Sequence, residues 1–224
     1  MAQNYKVWDW PNPGLLIGND NVEIRLEYRD EIPAEKPSKD HRSELKHLIR
    51  CEFSDQLRRR WRDSPALKEH HTVREDGLVG LPEGSKWESY YRPENQDDPF
   101  FRVEMCGFAW VPLVTWHNRL GCELDITFVG EGRSAITRDG DLDNRIKTLF
   151  DALRMPQRAA EVPGNMFGQG QQMYCLLEDD SLIRKFCVVA VQSPYSPAEH
   201  SVQVTARIVL MDGDIPHPAL ERFR

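Results

Sequence analysis

Along the second half of the chain the apolar period switches from two to about 3.6 and back again, and this limits the possible folds more than any other feature. Cys122, Leu124, Ile126 and Phe128 alternate with Glu123, Asp125 and Thr127, as in a half-buried strand. Ile146, Leu149, Phe150 and Leu153 recur at the spacing of one helix face. Val202, Val204, Ala206 and Ile208 then alternate with polar residues again. A helix between two half-buried strands buries its stripe by covering the sheet they form, because neither layer can hide its apolar side alone.

The first half adds a strand over residues 22–28, followed by a loop marked by Pro33 and Pro37. From Ser38 onward Leu45, Leu48, Ile49, Phe53, Leu57 and Trp61 predict one apolar helix face that ends before Pro65. Residues 63–99 have little periodicity and read as a long loop or insertion, and 101–114 is apolar enough for two neighbouring strands. Met155–Gln172, rich in glycine and proline, reads as a second insertion that breaks the later helix. Tyr174–Leu177 predicts a short strand and Leu182–Gln192 a longer buried one, while the tail after Met211 looks loose. The expected class is α+β (mixed α/β): a single domain over 1–224 with one core, a mixed sheet packed against helices, and a motif region at 120–211.

Forty per cent hydrophobic and 29% charged residues place the chain among ordinary globular proteins. Its five cysteines form no Cys-x-x-Cys pair, which points to reduced thiols and a cytoplasmic location. No run of 18 apolar residues exists, and residues 1–13 lack the regions of a signal peptide, so neither export nor a membrane partner is expected. The net charge of −7 is the wrong sign for a surface that is generally positive toward nucleic acid.

The chemistry is concentrated in Gly140-Asp141-Leu142-Asp143-Asn144-Arg145-Ile146-Lys147, at the mouth of the later helix. With Asp141 still extended, Asp141 and Asp143 project to one side, and Lys147 follows Asp143 by one helical turn. Hard cations such as Mg²⁺ take carboxylate oxygens and keep several waters, so two or three convergent aspartates suffice to hold one. Glu178-Asp179-Asp180, at a turn between two apolar segments, can supply the third ligand, with Asp180 ranked before Asp179. A blander arrangement uses Asp143 as a helix N-cap and Asp143, Lys147 and Asp151 as surface ion pairs. An EF-hand is excluded, because the sixth position from Asp141 is Ile146 where glycine is required and the twelfth is Ala152.

The pattern Asp-Leu-Asp-Asn-x-x-Lys-x-x-Phe-Asp-Ala-Leu, followed by Leu-Glu-Asp-Asp-Ser-Leu-Ile, resembles the core of the RusA-like Holliday junction resolvases, the crossover junction endodeoxyribonucleases. The resemblance covers roughly the C-terminal half, from Cys122–Phe128 to Val202–Leu210. It implies that Asp141, Asp143 and Asp180 hold Mg²⁺ or Mn²⁺, that Lys147 is catalytic beside them, and that a homodimer nicks four-way DNA junctions. The chain differs from the family in its long segments at 63–99 and 155–172, in having only Arg133 and Arg138 where the family carries a basic run, and in the extra carboxylate Glu178.

Arg58, Arg59, Arg60 and Arg62 on the first helix, with Arg138 and Arg145 near the aspartates, are the candidate DNA contacts, against the plainer reading of a solvated helix face. Arg50 and Lys68 belong to the same basic stretch. His70 and His71 have no second ligand pair at metal spacing, and Phe150, Trp61, Trp87, Trp110 and Trp116 read as core. The leading expectation is a metal-dependent structure-selective DNA endonuclease. The alternatives are a catalytically weak module that binds branched DNA or protein, and another Mg²⁺-dependent phosphate-processing enzyme such as a nucleotide-sugar transferase.

Overall fold

In the computed structural model the described residues are 22–33, 39–63, 102–115, 120–130, 142–164, 171–192 and 200–210. They form β1 (Glu23–Tyr28), α1 (Lys39–Asp63), β2 (Val103–Met105), β3 (Phe108–Val114), β4 (Leu120–Gly130), α2 (Leu142–Leu153), β5 (Gln171–Leu177), β6 (Ile183–Gln192) and β7 (Ser201–Leu210). The class is α+β.

The alternation read from the sequence sets the register of the main sheet. Its order is β1-β7-β4-β6, with β7 antiparallel to both neighbours and β6 parallel to β4. Leu26 and Ile126 both stand opposite Val204, and Ile24 and Leu124 both stand opposite Ala206. A slip by one residue would turn every one of these side chains to solvent, so burial fixes the pairing. The apolar face is covered by Ile49, Phe53, Leu57 and Trp61 of α1 and by Leu149, Ala152 and Leu153 of α2.

A second sheet, in the order β2-β3-β5, has β2 antiparallel and β5 parallel to β3. The β2–β3 hairpin turns through Cys106 and Gly107, both with positive φ (54° and 79°), as a two-residue turn with the right twist requires. Pro112 lies in β3 beyond the last residue paired with β2, where among the described residues one side of the strand carries no ladder.

Three expectations change. Leu48 is 52% exposed, because α1 turns inward not only Ile49, Phe53 and Leu57 but also the polar His47, Arg50 and Ser54, and at 100° per residue Leu48 falls on the far side. Two apolar clusters stand in place of one core: Met155 and Val162, placed in an insertion by sequence, pack with Phe108, Trp110, Met173 and Cys175. β6 is a strand at the predicted place, but among the described residues it is the edge of its sheet and mostly exposed. The segment 64–100 lies outside the described residues. No helix among the described residues is long and apolar enough to cross a membrane.

Candidate metal and phosphate site

α2 begins at Leu142, which puts Asp143 in its first turn, where a carboxylate is favoured by the unpaired N–H groups and the helix dipole. Asp143 is exposed and ion-paired with Lys147, four residues on. Asp141 and Arg138 lie outside the described residues.

Arg145, in the same turn, points the other way. It is 6% exposed and its guanidinium donates to Glu31, just beyond β1, at 3.2 Å. Arg145 and Glu31 line a small cleft with Gly130, Val191 and His200, so the start of α2 is fixed at the C-terminal ends of β4 and β6. This corrects the expectation that Arg145 contacts DNA: a cation opposing the helix dipole is held inside by its carboxylate partner instead of being offered to a phosphate.

The other end of α2 is held more heavily. Met155 N–H donates to the Leu177 carbonyl at 2.9 Å, and Arg154 forms a parallel bridge with Leu177. Arg50 of α1, 1% exposed, donates to the carbonyls of Asp151 (2.6 Å), Arg154 (3.3 Å) and Glu161 (3.4 Å), closing carbonyls that a helix end leaves open. Around it Lys46 pairs with Asp151, Arg154 with Asp151 at 2.7 Å and Glu161 at 3.0 Å, and Arg50 with Glu161 at 3.5 Å. Burial opposes the charge on Asp151, but Lys46 and then Arg154 outweigh it and hold the carboxyl below its ordinary range. Burial likewise works against the Arg154 cation, and Asp151 and Glu161 more than restore it. Sequence reading missed this network because its members are scattered over α1, α2 and a presumed insertion. The one local signal is Lys46, flanking the apolar face of α1.

Asp180 opens the 3₁₀ turn Asp180–Leu182 that leads into β6. Asp179 caps that turn: its carboxylate accepts from the Ser181 N–H at 3.0 Å and from the Ser181 hydroxyl. Leu182 is fully buried and plugs the turn into the core, while Asp180 stays exposed. The turn also sits tightly on β4, since a Cβ on Gly121 would stand 3.1 Å from the Leu182 carbonyl oxygen.

Asp143 and Asp180 are therefore tied to different ends of α2. Asp143 is in the turn held by Glu31, and Asp180 follows by three residues the Leu177 that holds Met155. Ten residues of helix from Asp143 to Leu153 span ~15 Å. Among the described residues no three His, Cys, Asp or Glu side chains converge to hold a metal. The donor chemistry fits, since Asp143 and Asp180 offer only carboxylate oxygens, which hard divalent cations prefer.

Of the α1 arginines, Arg58 donates to the Gln172 carbonyl (2.7 Å) with its guanidinium 5.8 Å from the Tyr174 ring centre, and Arg60 donates to the Glu23 carbonyl at 3.2 Å. Arg59 and Arg62 are exposed, Arg62 lying 3.7 Å from Asp63. Trp61 and Trp110 are buried, as expected. Phe150, by contrast, is only partly buried and meets Phe186 of β6 edge to face at 5.3 Å. Lys68, His70, His71, Trp87 and Trp116 lie outside the described residues. All five cysteines are free, and burial pushes Cys122 and Cys175 up to about 12, so both are neutral, unreactive thiols.

No family model matches the chain, and no curated protein and no solved structure matches it.

Proposed function

We propose that the chain is a Mg²⁺- or Mn²⁺-dependent endonuclease of the RusA-like type that hydrolyses phosphodiesters at branched DNA as a homodimer, with Asp141, Asp143 and Asp180 as metal ligands. The observation that carries this reading is the exposed Asp143–Lys147 pair on the first two turns of α2, with Asp143 the second aspartate of an Asp-x-Asp element, in a chain whose second acidic turn exposes Asp180.

A bound divalent cation would supply a hydroxide nucleophile and neutralise charge on the phosphate. The protein's own contribution is positional. Asp143 takes its place from a helix whose far end is locked by Arg50 and Asp151, so the carboxylate rides on a rigid element. Lys147, held beside Asp143, carries the cation that can meet a phosphate oxygen once the carboxylate is committed to the metal. One oxygen of Asp179, Oδ1, is engaged by Ser181, while Asp180 is the exposed carboxylate of the turn, which supports ranking Asp180 before Asp179 as ligand.

The test is cleavage of a labelled synthetic four-way junction, with linear duplex and single strand as controls, in Mg²⁺, Mn²⁺ and EDTA. Paired nicks that need metal and disappear in Asp143→Asn are the expected result. Full activity of Asp143→Asn would overturn the site. A folded wild type that binds junctions without cleaving any DNA would favour the binding-module reading.

A further inference from the structure

The face of the main sheet away from the helices carries a row of alternating charge. Through the ladders Glu23 of β1 stands opposite Arg207 of β7, Arg207 opposite Glu123 of β4, and Glu123 opposite Lys185 of β6. Opposite charges on directly facing residues stabilise a sheet, and Arg207 lies 3.8 Å from Glu123. Lys185 ends the row, because among the described residues β6 pairs only with β4. From Phe186 to Gln192 this edge carries no charge and no proline, the devices that usually keep a foreign strand away. Phe186, Val189 and Val191 are 50%, 49% and 39% exposed. A cation, apolar side chains on both faces and a line of N–H and C=O groups together suit one occupant, a further strand.

The N-terminal sequence has the matching pattern. Tyr5, Val7 and Asp9 alternate with Lys6, Trp8 and Trp10, and Pro11 and Pro13 end the run, since proline cannot donate to a ladder. These positions lie outside the described residues. We infer that residues 4–10 pair antiparallel with β6 as a fifth strand of the main sheet, with Asp9 opposite Lys185, Val7 opposite Cys187 and Tyr5 opposite Val189. The inference is independent of the metal reading.

Charge and shape select this register. Asp9 extends the alternating row by one more residue of the right sign. The same register sets Trp8 opposite Phe186, whose ring already meets Phe150 edge to face at 5.3 Å, so a third ring joins the pair on the helix side. Tyr5 covers Val189 on the other side, and Lys6 falls opposite Val188, a lysine that blunts the new edge. A slip by one residue would turn Asp9 to the aromatic side and Trp8 to the charged row.

The path of the chain selects the direction. β1 and β4 are both antiparallel to β7, and β6 is parallel to β4, so β1 and β6 run the same way. Glu23 and Lys185 stand in one row, and an antiparallel strand ends at that level. The link 11–22 then crosses four strand spacings, ~19 Å, well within the ~40 Å that twelve extended residues reach. A parallel strand would end beside Gln192 and draw the link diagonally over the sheet. The C-terminal segment beyond residue 210 is a poorer candidate, since Gly213, Pro216 and Pro218 interrupt it.

The decisive experiment uses the full chain carrying Val7→Cys in a Cys51→Ser, Cys106→Ser background, oxidised mildly with copper phenanthroline. Directly facing strand residues have Cα atoms ~4.5–5.5 Å apart, a separation that a disulfide spans. The expected product is a disulfide from position 7 to Cys187 within one chain, identified by mass spectrometry of the linked peptides. Trp8→Cys in the same background is expected to link far less, because its side chain faces the helix layer. Equal linking of the two variants, or linking of neither, overturns the pairing. Linking only between two chains also overturns it and gives the edge to a second copy. Asp9→Lys is expected to lower the yield of the Val7→Cys link and Lys185→Asp to restore it, and a yield that does not recover overturns the register. Hydrogen exchange reads the wild type directly. Outward amides of Phe186–Gln192 are expected to be protected, and to lose that protection in Val7→Pro while α1, β1 and β7 keep theirs. Protection that survives Val7→Pro assigns the edge to another segment and overturns the inference, as does a wild type whose outward β6 amides exchange freely.

Discussion

Lys46 on α1 and Asp151 on α2, 105 residues apart in sequence, are joined by an ion pair at the heart of the contact between the two helices. Asp151 also neutralises Arg154 and stands beside the buried Arg50. Removing it leaves several cations facing one another with little water to relax them. Asp151→Ala is expected to lose about 2–3 kcal/mol of stability, measured by urea denaturation, and to lose more than Lys46→Met, because Lys46 leaves behind a carboxylate that Arg154 still satisfies.

Acid should reveal the same network in two stages. The carboxyl of Asp151 is held below its ordinary value of 3.8 because Lys46 and Arg154 outweigh the opposing effect of burial. A depressed acid contributes stability above its unfolded value and loses it as pH falls through the folded one. Burial, with Arg50 adding to it, lowers His47 below 6.5, so the unfolded chain takes up that proton first and stability begins to fall as pH drops below about 6.5. Melting temperature followed from pH 8 to pH 3 should therefore decline from about pH 6.5 and again below about pH 4. His47→Gln is expected to flatten the upper decline and Asp151→Asn the lower.

Gly121 is expected to tolerate no side chain. In Gly121→Ala the new methyl would meet Arg184 Cγ at 2.8 Å and the Leu182 carbonyl oxygen at 3.1 Å, and the second of these is backbone that cannot swing away. A loss of about 1–3 kcal/mol follows from overpacking, together with displacement of the turn that carries Asp180. The readout is a drop in Mn²⁺ affinity larger than the same substitution at an exposed glycine such as Gly164, whose added Cβ meets nothing within 4 Å.

The arginines should separate cleanly. Arg145→Ala is expected to cost about 1–3 kcal/mol in denaturant, since it strips the end of β1 from α2 and leaves a gap at a buried position. Arg59→Ala and Arg62→Ala should stay within about 0.5 kcal/mol of wild type. If α1 lies along a phosphate backbone, each of these exposed arginines also flattens the salt dependence of junction binding.

Periodicity made the main sheet legible. Cys122, Leu124, Ile126 and Phe128 and their counterparts on β1 and β7 announce both strand and face, and the pattern of α2 announces where it packs. The buried polar side of α1 was not legible, because it is inside only by virtue of distant contacts: carbonyls of α2 and its C-terminal extension for Arg50, the Tyr174 N–H for the Ser54 hydroxyl, and the rings of Phe108 and Trp110 for His47. β6 misled for a related reason. A run of valines reads as buried from its composition, yet the burial of a strand depends on what lies on its outer side, which composition does not encode. Of the candidate site, the four-residue spacing made the Asp143–Lys147 ion pair legible, whereas the inward turn of Arg145 depends on Glu31, 114 residues away.

The strand order of the main sheet also governs when this protein can fold. Among the described residues the last strand, β7, lies between the first and β4, so β1 gains its hydrogen-bonded neighbour only when residues 201–210 exist. On a ribosome β1 must wait for that neighbour while some 170 further residues are synthesised, at ~5–20 per second. The chain is thereby committed to late, long-range closure, the kind that folds slowly and leaves nascent segments open to chaperones in the meantime.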